Sequence, residues 1–224
     1  CYMAAQAFFS RTGMRRYSVA IHIEKRIPIA AGLAGGSTDA AATLIGLDRL
    51  YGTGLTTEEL CGIGKRIGAD VPFCVRRGIS VTRGIGEIMS PCGRLPDCAI
   101  LIACEGERVP TPWAYRMVDE MKERTVQETV SVDRFTSLLS EKRGIEDIAS
   151  GMRNIFEDAV LPHRERAREL FQMMEQTGAI RVMMSGSGPS VFGVYRDMRS
   201  AESAAKKLRE NGIPPMICEP YYED

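Results

Sequence analysis

Apolar residues recur along the chain at two periods, and each period predicts its own kind of element. Met3, Ala4, Ala7 and Phe8 stand at helical spacing over residues 1–12, and Gly13 supplies a stop. From Tyr17 to Ile27 the period becomes two. Val19, Ile21 and Ile23 alternate with Ser18, His22 and Glu24, which predicts a half-buried strand. An alanine-rich segment from Thr38 to Tyr51 carries a stripe of Leu44, Leu47 and Leu50, which predicts a helix stopped by Gly52-Thr53-Gly54. Thr56 as N-cap and Glu59 three residues on form a capping box for the next helix, expected to end near Gly68. A strand-like stretch with Val75, Ile79 and Val81 follows.

The chain turns between Pro91 and Pro96, and a domain boundary is expected there, dividing residues 1–92 from 93–224. Ala99 to Ala103 reads as a short strand, and Pro110 to Glu123 as a turn and a helix. Residues 124–152 are polar and weakly patterned, consistent with one or two helices. Arg166 to Gln176 is an amphipathic helix. Ile180 to Met184 and Val191 to Tyr195 are strands on either side of a Ser-Gly-Ser-Gly run. Ser200 to Asn211 is a helix with Ala201, Ala204, Ala205 and Leu208 on one face, and Met216 to Pro220 a final strand. This order suits helices on one face of an antiparallel sheet, an α+β arrangement.

Composition narrows the function classes. Lysine and arginine number 29 and the acids also 29, so nothing favours a nucleic-acid or polyanionic partner. No apolar run approaches the ~20 residues of a membrane helix, and the start CYMAAQAFF lacks the features of a signal peptide. The seven cysteines form no CxxC pair, which points to reduced, mostly buried thiols and a cytoplasmic setting.

The candidate chemistry lies in three stretches. The first, PIAAGLAGGSTDAA from Pro28 to Ala41, sets Gly32, Gly35 and Gly36 just before a helix. Glycines permit positive φ and close approach of a ligand to the main chain. A helix start adds unpaired N–H groups and the positive end of its dipole, which suits phosphates. Ser37 and Thr38 add hydroxyls for phosphate or Mg²⁺. No Lys precedes Ser37, so this is not a Walker A loop, and the spacing is not that of GxGxxG. The second stretch, GADVPF from Gly68 to Phe73, offers Asp70, which either caps a turn or serves a hydroxyl as base. The third, MSGSGPSVF from Met184 to Phe192, reads alone as a hairpin connection. Two hydroxyl-bearing glycine loops at opposite ends of one chain suggest a ligand between domains.

In this order the three stretches resemble the motifs of the GHMP kinase superfamily, the first matching PxxxGLxGGSSxAA with Thr38 at the second hydroxyl. The wording of KRIPIAAGLAGGSTDAAATL, GADVPF and MSGSGPSVF, with GADVPF the most discriminating, resembles the branch acting on a cytidine diphosphate-linked polyol in the non-mevalonate isoprenoid route. The resemblance implies two α+β domains, the N-terminal one incomplete here and the C-terminal one ferredoxin-like, with ATP between them. It implies transfer of the γ-phosphoryl of ATP to the 2-hydroxyl of the methylerythritol unit. Pro28, Ala30, Ala31, Gly32, Leu33, Ala34, Gly35, Gly36, Ser37 and Thr38 would hold the ATP phosphates, with Ser37 near Mg²⁺. Gly186, Ser187 and Gly188 would pack beside them. Asp70 and Thr111 would be catalytic and touch substrate, and Tyr115 would stack on the cytosine.

The chain also departs from that pattern. The family's leading KxNLxL strand, whose Lys works beside the Asp, and a Tyr-His pair further on have no counterpart in this sequence. Cys1 opens what already reads as helix, so upstream sequence is expected, and this chain alone is expected to be poorly active. Lys25 is no substitute by position, His22 is expected to face solvent, and His163 has no evident partner. Arg77 stands where the family has glycine, which requires an exposed residue with negative φ. Another GHMP kinase, for homoserine, mevalonate or a sugar, remains open. So does a non-catalytic nucleotide-binding module, and a monomer or weak homodimer is expected.

Overall fold

The computed structural model describes residues 1–14, 18–84, 86, 88–122 and 132–222. It divides into two compact units: Cys1–Ile29 with Ala34–Pro91, and Ala30–Leu33 with Cys92–Asp224. The division is not collinear, because residues 30–33 of the first glycine stretch group with the second unit.

The first unit is built on helices. In α1 (Tyr2–Thr12) the buried face is Ala4, Ala5, Phe8 and Phe9, while Met3 is exposed, so the apolar stripe lies one residue from the expected one. Gly13 ends α1 in the left-handed conformation at φ 69°. Helix α2 (Gly35–Tyr51) starts ahead of Thr38 and buries Ala40, Ala41, Leu44 and Leu47. Leu50 is 65% exposed, because two successive steps of three residues rotate it away from Leu44. Tyr51 takes its place, with its ring edge on Phe9 at 5.3 Å. Asp48 Oδ1 accepts from Thr53 Oγ1 (2.5 Å) and the Leu55 N–H (2.9 Å), fixing the exit from α2. The Thr53 hydroxyl holds its carboxyl below the usual carboxylate range.

Helix α3 (Thr57–Gly64) has the expected capping box of Thr56 and Glu59. It ends at Gly64, where an added Cβ would stand 2.8 Å from Val71 Cγ1. That close approach seats α4 (Val71–Arg76) on α3. Residues 71–76 are helix, not the approach to a strand, and Val75 lies in the helical core. The reason is local: Pro72 sits in the first turn, where its missing N–H costs nothing. Arg77 follows α4 with φ 62°, opposite in sign to the expectation for a non-glycine residue there. Strands β1 (Ser80–Arg83) and β2 (Ile88–Pro91) form an antiparallel hairpin.

Residues 18–26 correct the sequence reading. They are assigned to no strand, and Ile21 and Ile23 are 41% and 49% exposed. Alternation specifies a face, but a strand also needs a neighbour to complete its ladder, and among the described residues none pairs with this segment. Tyr17 lies outside the described residues.

The second unit is a four-stranded antiparallel sheet of β3 (Ala99–Cys104), β4 (Arg181–Met184), β5 (Ser190–Tyr195) and β6 (Met216–Cys218), in the order β4-β5-β3-β6. Counted within this unit the order is 2-3-1-4, the ferredoxin-like arrangement. Ala99, Leu101 and Ala103 alternate onto one face of β3. There they meet Leu170 and Met174 of α9 (Glu165–Glu175) and Ala201, Ala204, Ala205 and Leu208 of α10 (Met198–Glu210). The opposite face is also covered: Ile100, Phe192 and Val194 pack with Ile145 of α7 (Ile145–Ser150). Helices α5 (Thr111–Lys122) and α8 (Ile155–Val160) form a further layer through Ala114, Val118, Ala159 and Val160. Helix α6 (Val132–Ser140) precedes α7, and residues 123–131, the last residue of the expected 110–123 helix and the first part of the weakly patterned region, lie outside the description. Of the seven free cysteines only Cys61 and Cys98 are buried, fewer than the composition suggested.

Candidate active site

The first unit carries the helix-start half of the first motif. The glycines divide their tasks differently from the expectation. Gly35 and Gly36 are the first residues of α2, and it is Ala30, Gly32 and Ala34 that adopt positive φ, at 56°, 74° and 49°. Gly35 is needed for contact: a Cβ there would stand 2.8 Å from Ile27 Cγ2. Ala34 caps α2 without a side-chain hydrogen bond, and the first turn holds no acid. The leading N–H groups of α2 thus lack both intrahelical acceptors and a capping oxygen, an arrangement that favours an anion. Asp39, slightly deeper in α2, is balanced by Lys25, whose Nζ lies 2.5 Å from Asp39 Oδ2.

Thr38 links this helix start to the second motif. Its Oγ1 donates to Ala34 O (3.1 Å) and lies 3.6 Å from Cys74 Sγ. Burial pushes the Cys74 thiol up, so it remains protonated at neutral pH. Cys74 lies one turn after Asp70 on α4, and its N–H donates to Asp70 O at 3.1 Å. Asp70 occupies the cap position of α4 but makes no side-chain cap bond. Among the described residues its carboxylate has no hydrogen bond or ion pair, and the residue is exposed. This distinguishes it from Thr56, Asn154 and Asp197, whose side chains do cap their helices.

The second unit brings together the rest. Residues 185–189 connect β4 to β5 as a hairpin, closed by Ser185 N–H to Ser190 O (2.8 Å). Ser185 Oγ donates to Gly32 O at 2.8 Å. A Cβ on Gly32 would overlap Ser185 O and stand 3.1 Å from Gly188 O, so the two glycine loops interlock through bare backbone. Thr111, the first residue of α5, places its Oγ1 3.2 Å from the Oγ of buried Ser187. Tyr115 is one helical turn further along α5 and 58% exposed, with its ring edge-on to Phe156 at 5.0 Å. His163 has a partner after all, the ring of Trp113 at 5.9 Å, and His22 is exposed.

Sequence reasoning passed over Asn154 and Glu157. Asn154 Nδ2 donates to Met184 O (2.8 Å) and Gly186 O (2.7 Å), and Glu157 Oε1 accepts from the Met184 N–H (2.8 Å). Burial pushes the Glu157 carboxyl up. A signal was present: Asn followed three residues later by Glu is a helix-start pattern, but the sequence reading assigns no element between residues 152 and 166.

Comparison with known proteins defines the class. The family described as GHMP kinases N terminal domain matches residues 1–78, and that described as GHMP kinases C terminal matches residues 137–214. The chain belongs to the GHMP kinases, ATP-dependent phosphotransferases with an alcohol group as acceptor. Within that class it is 39% identical over 208 residues to the 4-diphosphocytidyl-2-C-methyl-D-erythritol kinase of Alkaliphilus metalliredigens, covering 92% of this chain and 69% of that protein. The kinase of the same name from Gloeobacter violaceus is 40% identical over 219 residues, covering 96% of this chain and 72% of the relative. A crystal structure of 4-(cytidine 5'-diphospho)-2C-methyl-D-erythritol kinase superposes with a TM-score of 0.80 at 30% identity, over 99% of this chain and 78% of the other. The mevalonate kinase of Methanococcus jannaschii, at 14% identity and a TM-score of 0.77 over 99% of this chain and 75% of its own, shares the fold.

Proposed function

We propose that the protein phosphorylates the 2-hydroxyl of 4-diphosphocytidyl-2-C-methyl-D-erythritol with ATP, in the non-mevalonate route to isoprenoid precursors. The observation that carries this reading is the 39% identity over 92% of the chain to a kinase of that name.

The site residues fit the chemistry. Phosphoryl transfer is achieved mainly by alignment and charge stabilisation, with little covalent work for the protein. In the first unit the uncapped start of α2 suits a nucleotide phosphate, and in the second unit the backbone of residues 30–33 and 186–188 does so as well. Among the described residues no group of three or more His, Cys, Asp or Glu gathers for a metal. Mg²⁺ commonly takes one or two protein oxygens and completes its shell with phosphates and water, and Ser37 supplies such an oxygen. When bound, Mg²⁺ neutralises charge on the transferring group.

Asp70, with no structural partner, is assigned to orient the acceptor hydroxyl and take its proton. Thr111, held by Ser187, is assigned to the transferring group. The exposed face of Tyr115 is assigned to the cytosine, a stacking contact of ~1–3 kcal/mol by analogy with nucleic-acid binders. No helix among the described residues is long and apolar enough to cross a membrane. A cytoplasmic monomer or weak homodimer is the setting we assign.

The test is a panel of acceptors incubated with γ-labelled ATP and the complete protein. Label is expected on the diphosphocytidyl polyol alone. Preferential labelling of homoserine, mevalonate or a sugar would replace this reading with another branch of the family.

A further inference from the structure

The loop at residues 185–188 lies at the end of β4, which is an edge strand of its sheet. An edge strand has one side of N–H and C=O groups without ladder partners. At Met184 both groups are nevertheless satisfied, and both by the four-residue turn that opens α8. Glu157 Oε1 accepts from the Met184 N–H at 2.8 Å, and Asn154 Nδ2 donates to Met184 O at 2.8 Å. The same amide reaches Gly186 O at 2.7 Å, so its two N–H donors hold the carbonyls on either side of Ser185. Its oxygen is used as well, accepting from the Phe156 N–H at 3.0 Å. Ser185 in turn holds Gly32 O, and Ser187 lies against Thr111. Between Asn154 and Glu157, Phe156 abuts the Tyr115 ring.

We infer that Asn154 is a positioning residue, assisted by Glu157. By clamping the carbonyls of Met184 and Gly186 it keeps Ser185 on Gly32 and so sets the geometry in which the paired glycine loops receive nucleotide phosphate. The role for phosphate rests on the kinase reading above; the clamp itself rests on the hydrogen bonds.

Asn154→Asp separates this role from helix capping. Aspartate caps as well as asparagine, so the acceptor for Phe156 N–H is kept. Both donors are lost, and a carboxylate oxygen then faces two carbonyls. In the complete protein, amide hydrogen exchange at Ser185–Gly188 is expected to rise about tenfold or more, with α8 unchanged. Affinity for a non-hydrolysable ATP analogue, read by titration calorimetry, is expected to fall about tenfold, with the KM for ATP raised more than that for the acceptor. Asn154→Ser, a neutral cap without the two donors, should behave alike and stands in if the Asp variant misfolds. Glu157→Gln keeps an acceptor for Met184 and should leave loop exchange unchanged.

Wild-type exchange at 185–188, or wild-type nucleotide affinity, in both Asn154 variants would overturn the inference. A wild-type protein that binds no nucleotide would instead overturn the kinase reading, and the exchange data would then still decide the clamp.

Discussion

Asp70 is a residue whose unused capacity supports the role proposed for it. It holds a cap position without capping, and among the described residues its carboxylate has no partner. Asp70→Ala in the complete protein should therefore lower kcat by on the order of 10²–10⁴ and leave thermal stability and nucleotide affinity nearly unchanged. Steady-state kinetics beside calorimetry would check this, and near-normal turnover would remove Asp70 from the mechanism.

Glu157 is the opposite case, a carboxyl used structurally and charged at a cost. Because burial raises its folded-state pKa, its contribution to stability is fully present below its ordinary value and is lost as pH rises through the folded value. Glu157→Gln should thus gain on wild type as pH increases from about 4.3, with a plateau once the wild-type carboxyl is ionised, read by denaturant melts across pH. Lys142, at φ 52° after α6, is strained by its Cβ. Relief of ~1–2 kcal/mol is partly offset by the ~0.5–1 kcal/mol entropic cost of glycine. Lys142→Gly should stabilise by roughly 0.5 kcal/mol, a rise of about 1–2 °C in Tm.

At the scale of elements, local chemistry was legible wherever the signal and its partner lie in the same short stretch. The box of Thr56 and Glu59 is formed as read, with Glu59 N–H to Thr56 Oγ1 at 3.2 Å and Thr56 N–H to Glu59 Oε2 at 3.0 Å. Thr56→Ala should cost about 1 kcal/mol, measurable as a lower urea midpoint with an unchanged slope. Residues 18–26 mark the limit of such reading, because their alternation is clear but a strand is a relation between segments. Leu50 is a milder case: it fits a three-residue stripe on paper, yet the 3.6-residue turn carries it to solvent.

At the scale of the molecule, 29 basic and 29 acidic residues leave no net field to attract a polyanion. The protein is expected to pass through a heparin column at about 0.15 M salt without retention. Strong retention would reveal a charge segregation that the count conceals. The connectivity of the second unit was partly visible in the strand and helix order. The neighbour relations were not: β3 lies between β5 and β6, and its Ile100 pairs with both Val194 and Cys218.

The sequence by itself determined the helices with their own caps and stripes, the three motifs in order, and through them the class of chemistry. It could do so because backbone propensity, capping and glycine geometry act within a few residues. Tertiary structure alone decided that Gly32 must be bare because Ser185 O approaches it, that Thr111 leans on Ser187, and that Asn154 serves a loop thirty residues away in sequence. Each of these depends on a hydrogen bond or steric contact between distant segments, and no local pattern records which segment will be the neighbour.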